Sequence, residues 1–171
     1  MQKIILISGP IGCGKTTTAR KLYEALDSAS LIEADGLVKY KPWSMDDQSL
    51  KVKSANCNAL IKTYLDEGID NVVCEGYVQN QFELEALEEI FKSNAKIYVF
   101  WLELSREERQ RRVAGRGQGD ADTPEFMDEY EKSNAQPWPF TSDVSVLESI
   151  SVEGKSIEGT VQTILDGLQA D

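Results

Sequence analysis

The sequence predicts an α/β fold in which helices cover both faces of a five-stranded parallel sheet. Two features support this prediction: short apolar runs recur along the chain, and each is followed by a segment with helical periodicity. The apolar runs lack the alternation of a sheet that has one face in water. With 171 residues and no internal repeat, linker or low-complexity tract, the chain is expected to form one domain over residues 1–171.

The first strand is predicted at Ile4–Ile7, an apolar run that contains three isoleucines. A glycine-rich turn follows, and a helix is predicted from Lys15 because apolar residues then recur at helical spacing, at Ala19, Leu22, Tyr23 and Leu26. The second strand is predicted at Ser30–Ile32 and ends near Asp35.

The next helix is predicted to begin after a loop over residues 36–43. Ser44 is a suitable N-cap, and the helix extends towards Leu65 and stops at Gly68. The third strand is predicted at Asn71–Cys74, which is short and apolar.

Two capping boxes are predicted in the following segment. Asn80 with Glu83 begins a helix whose apolar positions are Phe82, Leu84, Leu87, Ile90 and Phe91. The fourth strand is predicted at Lys96–Leu104. Ser105 with Glu108 then begins an arginine-rich helix.

The last part of the chain completes the predicted sheet. Residues 117–122 are polar and contain glycine, which predicts a mobile loop, and Thr123 begins a short helix. The fifth strand is predicted at Asp143–Leu147. The final helix has an apolar stripe formed by Ile157, Val161, Ile164, Leu165 and Leu168.

The composition excludes several classes of protein. The 18 Lys and Arg against 29 Asp and Glu give a net charge of −11, which disfavours sequence-independent nucleic-acid binding. The absence of histidine excludes Ser-His-Asp and Cys-His catalytic sites and zinc sites of the HExxH type. Acid–base chemistry is therefore expected to use carboxylates or lysine.

Location and partners are predicted from the cysteines and the apolar segments. Cys13, Cys57 and Cys74 are odd in number and far apart in sequence, which is typical of reduced thiols in a cytoplasmic protein. The N-terminal apolar run is too short for a signal peptide, and no stretch is long and apolar enough to span a membrane. We expect a cytoplasmic protein with no membrane partner and no obligate protein partner.

Residues 9–16 match the phosphate-binding pattern GxxxxGK[ST] and lie between a predicted strand and a predicted helix. Glycines allow close approach of the backbone amides to phosphate oxygens, and the helix N-terminus adds a positive dipole end. Lys15 is suited to the β- and γ-phosphates and Thr16 to Mg²⁺. The alternative is a glycine-rich turn with a solvated lysine. We predict ATP and Mg²⁺ as cofactors, bound by Gly9, Ile11, Gly12, Cys13, Gly14, Lys15, Thr16 and Thr17.

Further features narrow the reaction. The guanine-reading motif NKxD is absent, and the third strand does not end in the Asp-Glu pair of motor ATPases. Five arginines lie within eleven residues, at Arg106, Arg109, Arg111, Arg112 and Arg116. Three of these, Arg109, Arg112 and Arg116, share a helix face and form a positive patch suited to an anion. The alternative is a solvated helix whose arginines pair with Glu107 and Glu108.

These motifs resemble those of the small P-loop kinases, the nucleoside-monophosphate-kinase-like superfamily that includes shikimate kinase, gluconate kinase, chloramphenicol phosphotransferase and the zeta toxins. The resemblance covers most of the chain. It implies a three-layer P-loop NTPase fold with strand order 2-3-1-4-5 and a mobile lid around residues 116–123. It also implies that Arg112 lies on the adenine or phosphate side and that Arg116 closes over the transferred phosphoryl group, a catalytic role consistent with phosphoryl-transfer chemistry.

Asp35 is the predicted general base because it follows the second strand, where ligands of open α/β sheets bind. It could also hold a Mg²⁺-bound water. In chloramphenicol phosphotransferase and the zeta toxins, the aspartate at this point of the motif is taken as the base. The alternative for Asp35 is an Asx turn with Gly36.

The acceptor is predicted to contact two loops. In the first, which contains Lys39 and Trp43, cations alternate with aromatic rings. The second follows the third strand, where Glu75 could bind substrate hydroxyls, Gly76 permits close approach and Tyr77 could form a wall. Packing roles remain open for these residues.

The sequence departs from the named relatives on the acceptor side. Residues 75–79 lack the Asp-Gly-x-Pro-Arg stretch of adenylate kinases and the triple glycine of shikimate kinases, and a Gly-His-Phe lid is impossible without histidine. We therefore predict a kinase that transfers the γ-phosphate of Mg²⁺-ATP to a hydroxyl of an unspecified small molecule. The alternatives are a nucleotide-binding or regulatory ATPase module and a nucleoside or nucleotide kinase.

Overall fold

A computed structural model describes residues 1–39, 41, 47–115, 125, 127 and 140–170. Within these residues, a parallel sheet has the strand order β2-β3-β1-β4-β5. The strands are β1 Lys3–Ser8, β2 Ala29–Glu33, β3 Asn71–Glu75, β4 Lys96–Glu103 and β5 Val146–Ser151. The predicted α/β class and the strand order implied by the resemblance are confirmed.

The described helices lie on both faces of this sheet. They are α1 Lys15–Ala25, α2 Asp47–Asp66, α3 Gln81–Phe91, α4 Arg106–Ala114 and α5 Ile157–Gln169, and a 3₁₀ turn, Ala34–Leu37, follows β2. Ile4 and Leu6 of β1 pack into one apolar layer with α2 and α3. Ile5 and Ile7 alternate with them and pack into the other layer with α1 and α5. The three-layer arrangement is therefore confirmed.

The fifth strand lies later in the sequence than predicted. It spans Val146–Ser151, whereas the sequence predicted Asp143–Leu147. The Ser142 hydroxyl accepts hydrogen bonds from the amides of Val144 at 2.9 Å and Ser145 at 2.8 Å. These bonds form a turn, so the residues before Val146 are not available for strand pairing.

One of the two predicted capping boxes is present. The Asn80 side chain accepts from the Glu83 amide at 3.0 Å, and the Glu83 carboxylate accepts from the Gln79 amide at 2.7 Å. The capping box at Ser105 is wrong, because its side chain makes no cap hydrogen bond and Glu108 pairs with arginines of its own helix instead.

The apolar faces of two helices are narrower than predicted. Tyr23, Phe82 and Ile90 are exposed by 42%, 79% and 50%. The buried residues of α3 are Leu84, Leu87 and Phe91, and Phe82 lies on the opposite side of the helix from Leu84.

Several predicted features lie outside the described residues: the N-cap at Ser44, the loop over residues 117–122 within the proposed lid, and the start of the helix at Thr123. Glu125 and Met127, which follow Thr123, are described and are helical. Among the helices of the described segments, none is both long and apolar enough to span a bilayer.

The two sides of α3 lead to a stability prediction. Leu84→Ala should lower the free energy of unfolding by about 2–5 kcal/mol, because it leaves a cavity in the core. Phe82→Ala removes an exposed ring of the same helix and should change it by no more than about 0.5 kcal/mol. Urea denaturation measures both. Equal losses would contradict the observed placement of α3.

Candidate functional site

The turn between β1 and α1 contains three glycines with left-handed backbones. The φ angles are 137° at Gly9, 83° at Gly12 and 104° at Gly14. A Cβ atom at Gly9 would lie 2.6 Å from the carbonyl oxygen of Leu102, and one at Gly12 would lie 2.9 Å from the carbonyl oxygen of Arg109. Both backbone strain and crowding therefore require glycine at the first two positions.

The N-terminus of α1 opens towards this turn. The amide of Thr18 donates to the carbonyl of Gly14 at 3.0 Å, so the amides of the three preceding residues lie before the helical ladder. The Lys15 ammonium donates to the carbonyls of Gly9 at 2.9 Å and Pro10 at 3.1 Å. An open helix end beside an ammonium suits an anion, so the turn fits the phosphates of a nucleotide.

The other predicted residues of the turn differ in accessibility. Cys13 is buried, and burial raises the pKa of its thiol, while the nearby Lys15 and Arg109 offset part of this rise. It is therefore a packing residue. Thr16 and Thr17 are exposed at the start of α1, where their hydroxyls are accessible to a metal ion or a phosphate.

Arg112 of α4 lies beside the turn. Its Nη1 atom is 3.9 Å from the position that a Cβ atom on Gly14 would take. Its Nε atom donates to the Glu108 carboxylate at 2.9 Å, and Arg111 donates to the same carboxylate at 2.7 Å. These two hydrogen bonds lower the pKa of Glu108 to about 2, so Glu108 is ionised at neutral pH and orients Arg112.

Arg109 was predicted on the anion-binding face with Arg112, but the structure buries it. Its Nη1 donates to the carbonyl of Ile11 and its Nε to the carbonyl of Leu104, both at 3.2 Å. The sequence contained a signal for this burial, since Val113 is the one large apolar residue of α4 and lies one turn after Arg109.

Glu75 ends β3 and lies within reach of the turn. It is 4% exposed, and burial raises the pKa of its carboxyl to about 7. Asp35 and Glu33 also raise this pKa, whereas Lys15 and a hydrogen bond with Thr16 lower it. Glu75, predicted to contact the acceptor, is therefore adjacent to the predicted Mg²⁺ ligand Thr16.

Asp35 lies in the 3₁₀ turn after β2 and is exposed. Its Oδ1 atom would be 3.6 Å from a Cβ atom on Gly76, whose φ angle is 72°. The Gly76 carbonyl accepts from Lys53 of α2 at 3.0 Å. Sequence analysis did not identify Lys53, because no local pattern marks this buried lysine, and its hydrogen bond connects α2 to the turn after β3.

Among the remaining predicted site residues, the structure describes Tyr77 and Lys39. Tyr77 is 2% exposed, and its hydroxyl donates to Asn58 at 2.9 Å. Tyr77 is therefore a core residue and is not proposed as a wall of the acceptor site. Lys39 is exposed after the 3₁₀ turn, while Trp43 and Arg116 lie outside the described residues.

The sequence matches the family model AAA_18, described as an AAA domain, over residues 5–138. The match includes the phosphate-binding turn and most of the sheet. The chain therefore belongs to this family of P-loop domains. No curated protein matches the sequence.

Solved structures with the same fold include several kinases. A sugar kinase from Janibacter sp. HTCC2649 is 12% identical with a TM-score of 0.75, and the match covers 98% of this chain and 95% of that one. A gluconokinase from Sinorhizobium meliloti 1021 is 16% identical with a TM-score of 0.71, covering 97% and 91%. The tunicamycin resistance protein of Deinococcus radiodurans is 17% identical with a TM-score of 0.66, covering 99% and 96%. The fold is that of the small P-loop kinases.

The raised pKa of Glu75 predicts a pH-dependent stability. The pKa of this carboxyl is about 7 in the folded protein and 4.5 ordinarily, so the folded state binds its proton more tightly than the unfolded state. Protonation of Glu75 therefore favours folding. Its contribution is present below about pH 4.5 and is lost as the pH rises through 7. Without Mg²⁺ or nucleotide, this contribution amounts to roughly 3 kcal/mol of stability lost over this range, and Glu75→Gln should remove it from the pH dependence of the wild type.

Urea denaturation at pH 5 and pH 8 measures the difference. Glu89→Gln is the control, because Glu89 is exposed and its pKa is lowered by Lys92. Parallel pH dependences for the wild type and Glu75→Gln would contradict the prediction.

Proposed function

We propose that this protein is a kinase that transfers the γ-phosphoryl group of Mg²⁺-ATP to a hydroxyl group of a small molecule. One observation carries the proposal: an exposed carboxylate, Asp35, lies at the same edge of the sheet as the phosphate-binding turn, with Glu75 and Gly76 between them. A phosphoryl donor and a base for an acceptor hydroxyl can therefore meet there.

The donor side uses the turn and the start of α1. The backbone of residues 9–14 surrounds the phosphates, and Lys15 exchanges its two carbonyl partners for phosphate oxygens. Thr16 and Thr17 supply hydroxyls. Arg112 stabilises negative charge beside Gly14, and Arg116 is proposed to do so from the lid around residues 116–123.

Mg²⁺ fits the oxygen donors at this edge. The Thr16 hydroxyl and the Glu75 carboxylate are neighbours, and Asp35 follows on the acceptor side. A bound Mg²⁺ would neutralise part of the negative charge of the phosphates. Lys15 favours the ionised form of Glu75, and a bound Mg²⁺ would favour it further because it is a divalent cation.

The acceptor side is assigned to Asp35, which takes the proton of the acceptor hydroxyl. Glu75 and Gly76 border it, and Lys39 and Trp43 are proposed to join them. The similar structures named as a sugar kinase and a gluconokinase support an acceptor that carries several hydroxyl groups. The three cysteines are free and buried, which supports the proposed cytoplasmic location.

The AAA_18 match favours a second candidate, a nucleotide-binding module that hydrolyses ATP slowly. A screen for ADP release with Mg²⁺-ATP and a panel of sugars, polyols and sugar acids separates the two. Stimulation by an acceptor, together with the phosphorylated product, identifies a kinase. Unstimulated hydrolysis across the panel identifies the module.

Lys15→Met should lower kcat by about 10²–10³-fold, because the transferred phosphoryl group loses a positioned cation. Lys21→Met is the matched control, since Lys21 is exposed on the same helix and pairs with Glu24. Circular dichroism establishes that both variants fold. Equal activity of the two variants would remove Lys15 from the mechanism.

Asp35→Asn should lower kcat by about 10²–10⁴-fold, because the amide cannot accept the acceptor proton, and should leave the affinity for ATP measured without Mg²⁺ unchanged. Asp66→Asn is the control, since Asp66 is exposed and pairs with Lys62. Steady-state kinetics with the stimulating acceptor and calorimetry with ATP measure the two effects. Full activity of Asp35→Asn would exclude Asp35 as the base.

A further inference from the structure

The buried side chain of Arg109 connects α4 with the phosphate-binding turn and with the segment after β4 through hydrogen bonds. It is 6% exposed and belongs to α4. Its guanidinium donates to Ile11 in the phosphate-binding turn and to Leu104 after β4. A buried guanidinium is costly unless its N–H groups are hydrogen-bonded, and these carbonyls accept from it.

The backbone of α4 also touches the turn beside this side chain. A Cβ atom at Gly12 would lie 2.9 Å from the Arg109 carbonyl oxygen, 3.2 Å from the Arg109 Cβ and 3.0 Å from a Val113 methyl carbon. The helix and the turn are therefore in direct contact at Gly12, and neither can shift without the other.

The hydrogen bond to Ile11 has a consequence for the next amide. In a trans peptide, the carbonyl and the following N–H point in opposite directions. When Arg109 holds the Ile11 carbonyl towards α4, the Gly12 amide is directed away from α4. The guanidinium thus fixes the orientation of one of the amides that the proposed function assigns to ATP phosphates.

Arg109 also determines where Arg112 lies. The two residues are three positions apart on the same helix, and Arg112 is the one whose guanidinium lies beside Gly14. Because Arg109 anchors α4 at the turn, it holds the segment that carries Arg112 close to Gly14. Its charge also reaches the turn, since it opposes the rise in the pKa of Cys13.

We propose that Arg109 is a positioning residue of the ATP site, which holds the Gly12 amide and Arg112 in their phosphate-binding places. This inference rests on the proposed function. Arg109 itself does not contact the nucleotide; it acts through the turn and through Arg112.

The first test compares Mg²⁺-ATP binding by calorimetry in the wild type, Arg109→Met and Arg106→Met. Arg109→Met should raise the Kd at least about tenfold, the size expected when a charge-assisted hydrogen bond is lost. Arg106→Met makes the same chemical change at an exposed position of the same helix and should alter the Kd less than twofold. An Arg109→Met protein that binds ATP within twofold of the wild type overturns the proposal.

A double-mutant cycle with Arg112→Met separates positioning from stability alone. If Arg109 acts through Arg112, Arg112→Met should weaken ATP binding much less in the Arg109→Met background than in the wild type. A residue that only stabilised the fold would lower the melting temperature and leave the effect of Arg112→Met unchanged. If the Kd of the double variant shows the product of the two separate effects of Arg109→Met and Arg112→Met, the proposal is overturned.

Arg109→Lys provides the test if Arg109→Met does not fold. Lysine keeps the charge but cannot reproduce the planar fork that reaches two carbonyls, so its Kd should be several-fold higher than that of the wild type. A wild-type Kd for Arg109→Lys overturns the proposal. Wild-type protein that binds no ATP refutes the proposed function instead, so the two failures are distinguishable.

Discussion

The site depends on the close packing of the phosphate-binding turn against two neighbouring elements. At Gly9 the backbone approaches the end of β4 too closely for a Cβ atom, and at Gly12 it approaches α4 in the same way. These contacts require glycine, and glycine in turn allows the left-handed backbone that opens the N-terminus of α1. The sheet, α1 and α4 are thus joined at a single turn, whose geometry determines the site.

The two main carboxyls of the site have different environments and therefore different properties. Asp35 is exposed, which leaves its carboxylate accessible to an acceptor hydroxyl. Glu75 is buried beside Lys15 and Thr16, so its protonation depends on the cations near it. A bound metal ion would favour the ionised form of Glu75. The proposed donor side therefore uses a buried carboxyl, and the proposed acceptor side uses an exposed one.

The elements that sequence predicted well are those set by local patterns. The phosphate-binding turn, the cap at Asn80 and the first four strands follow from short runs of residues. The burial of other side chains depends on tertiary contacts, which local patterns do not show. Arg109 is buried where α4 packs on the turn, and Tyr77 is buried with its hydroxyl donating to Asn58. The raised pKa of Glu75 results mainly from its burial, which depends on elements that are distant in the sequence. The strand order came from the family resemblance, since no local pattern specifies it.

The proposed donor and acceptor sides are also built from different kinds of chain segment. The proposed donor side consists mainly of the continuous segment 9–17, and α4, which carries Arg112, packs directly against it. The acceptor side consists of short turns after β2 and β3, with Asp35 in the first and Gly76 in the second. Among the described residues, Asp35 of the first turn lies beside Gly76 of the second, and Lys53 of α2 donates to the Gly76 carbonyl. Substitutions around them can change the acceptor while the sheet and the phosphate-binding turn stay intact, as is usual for functions placed on a common fold.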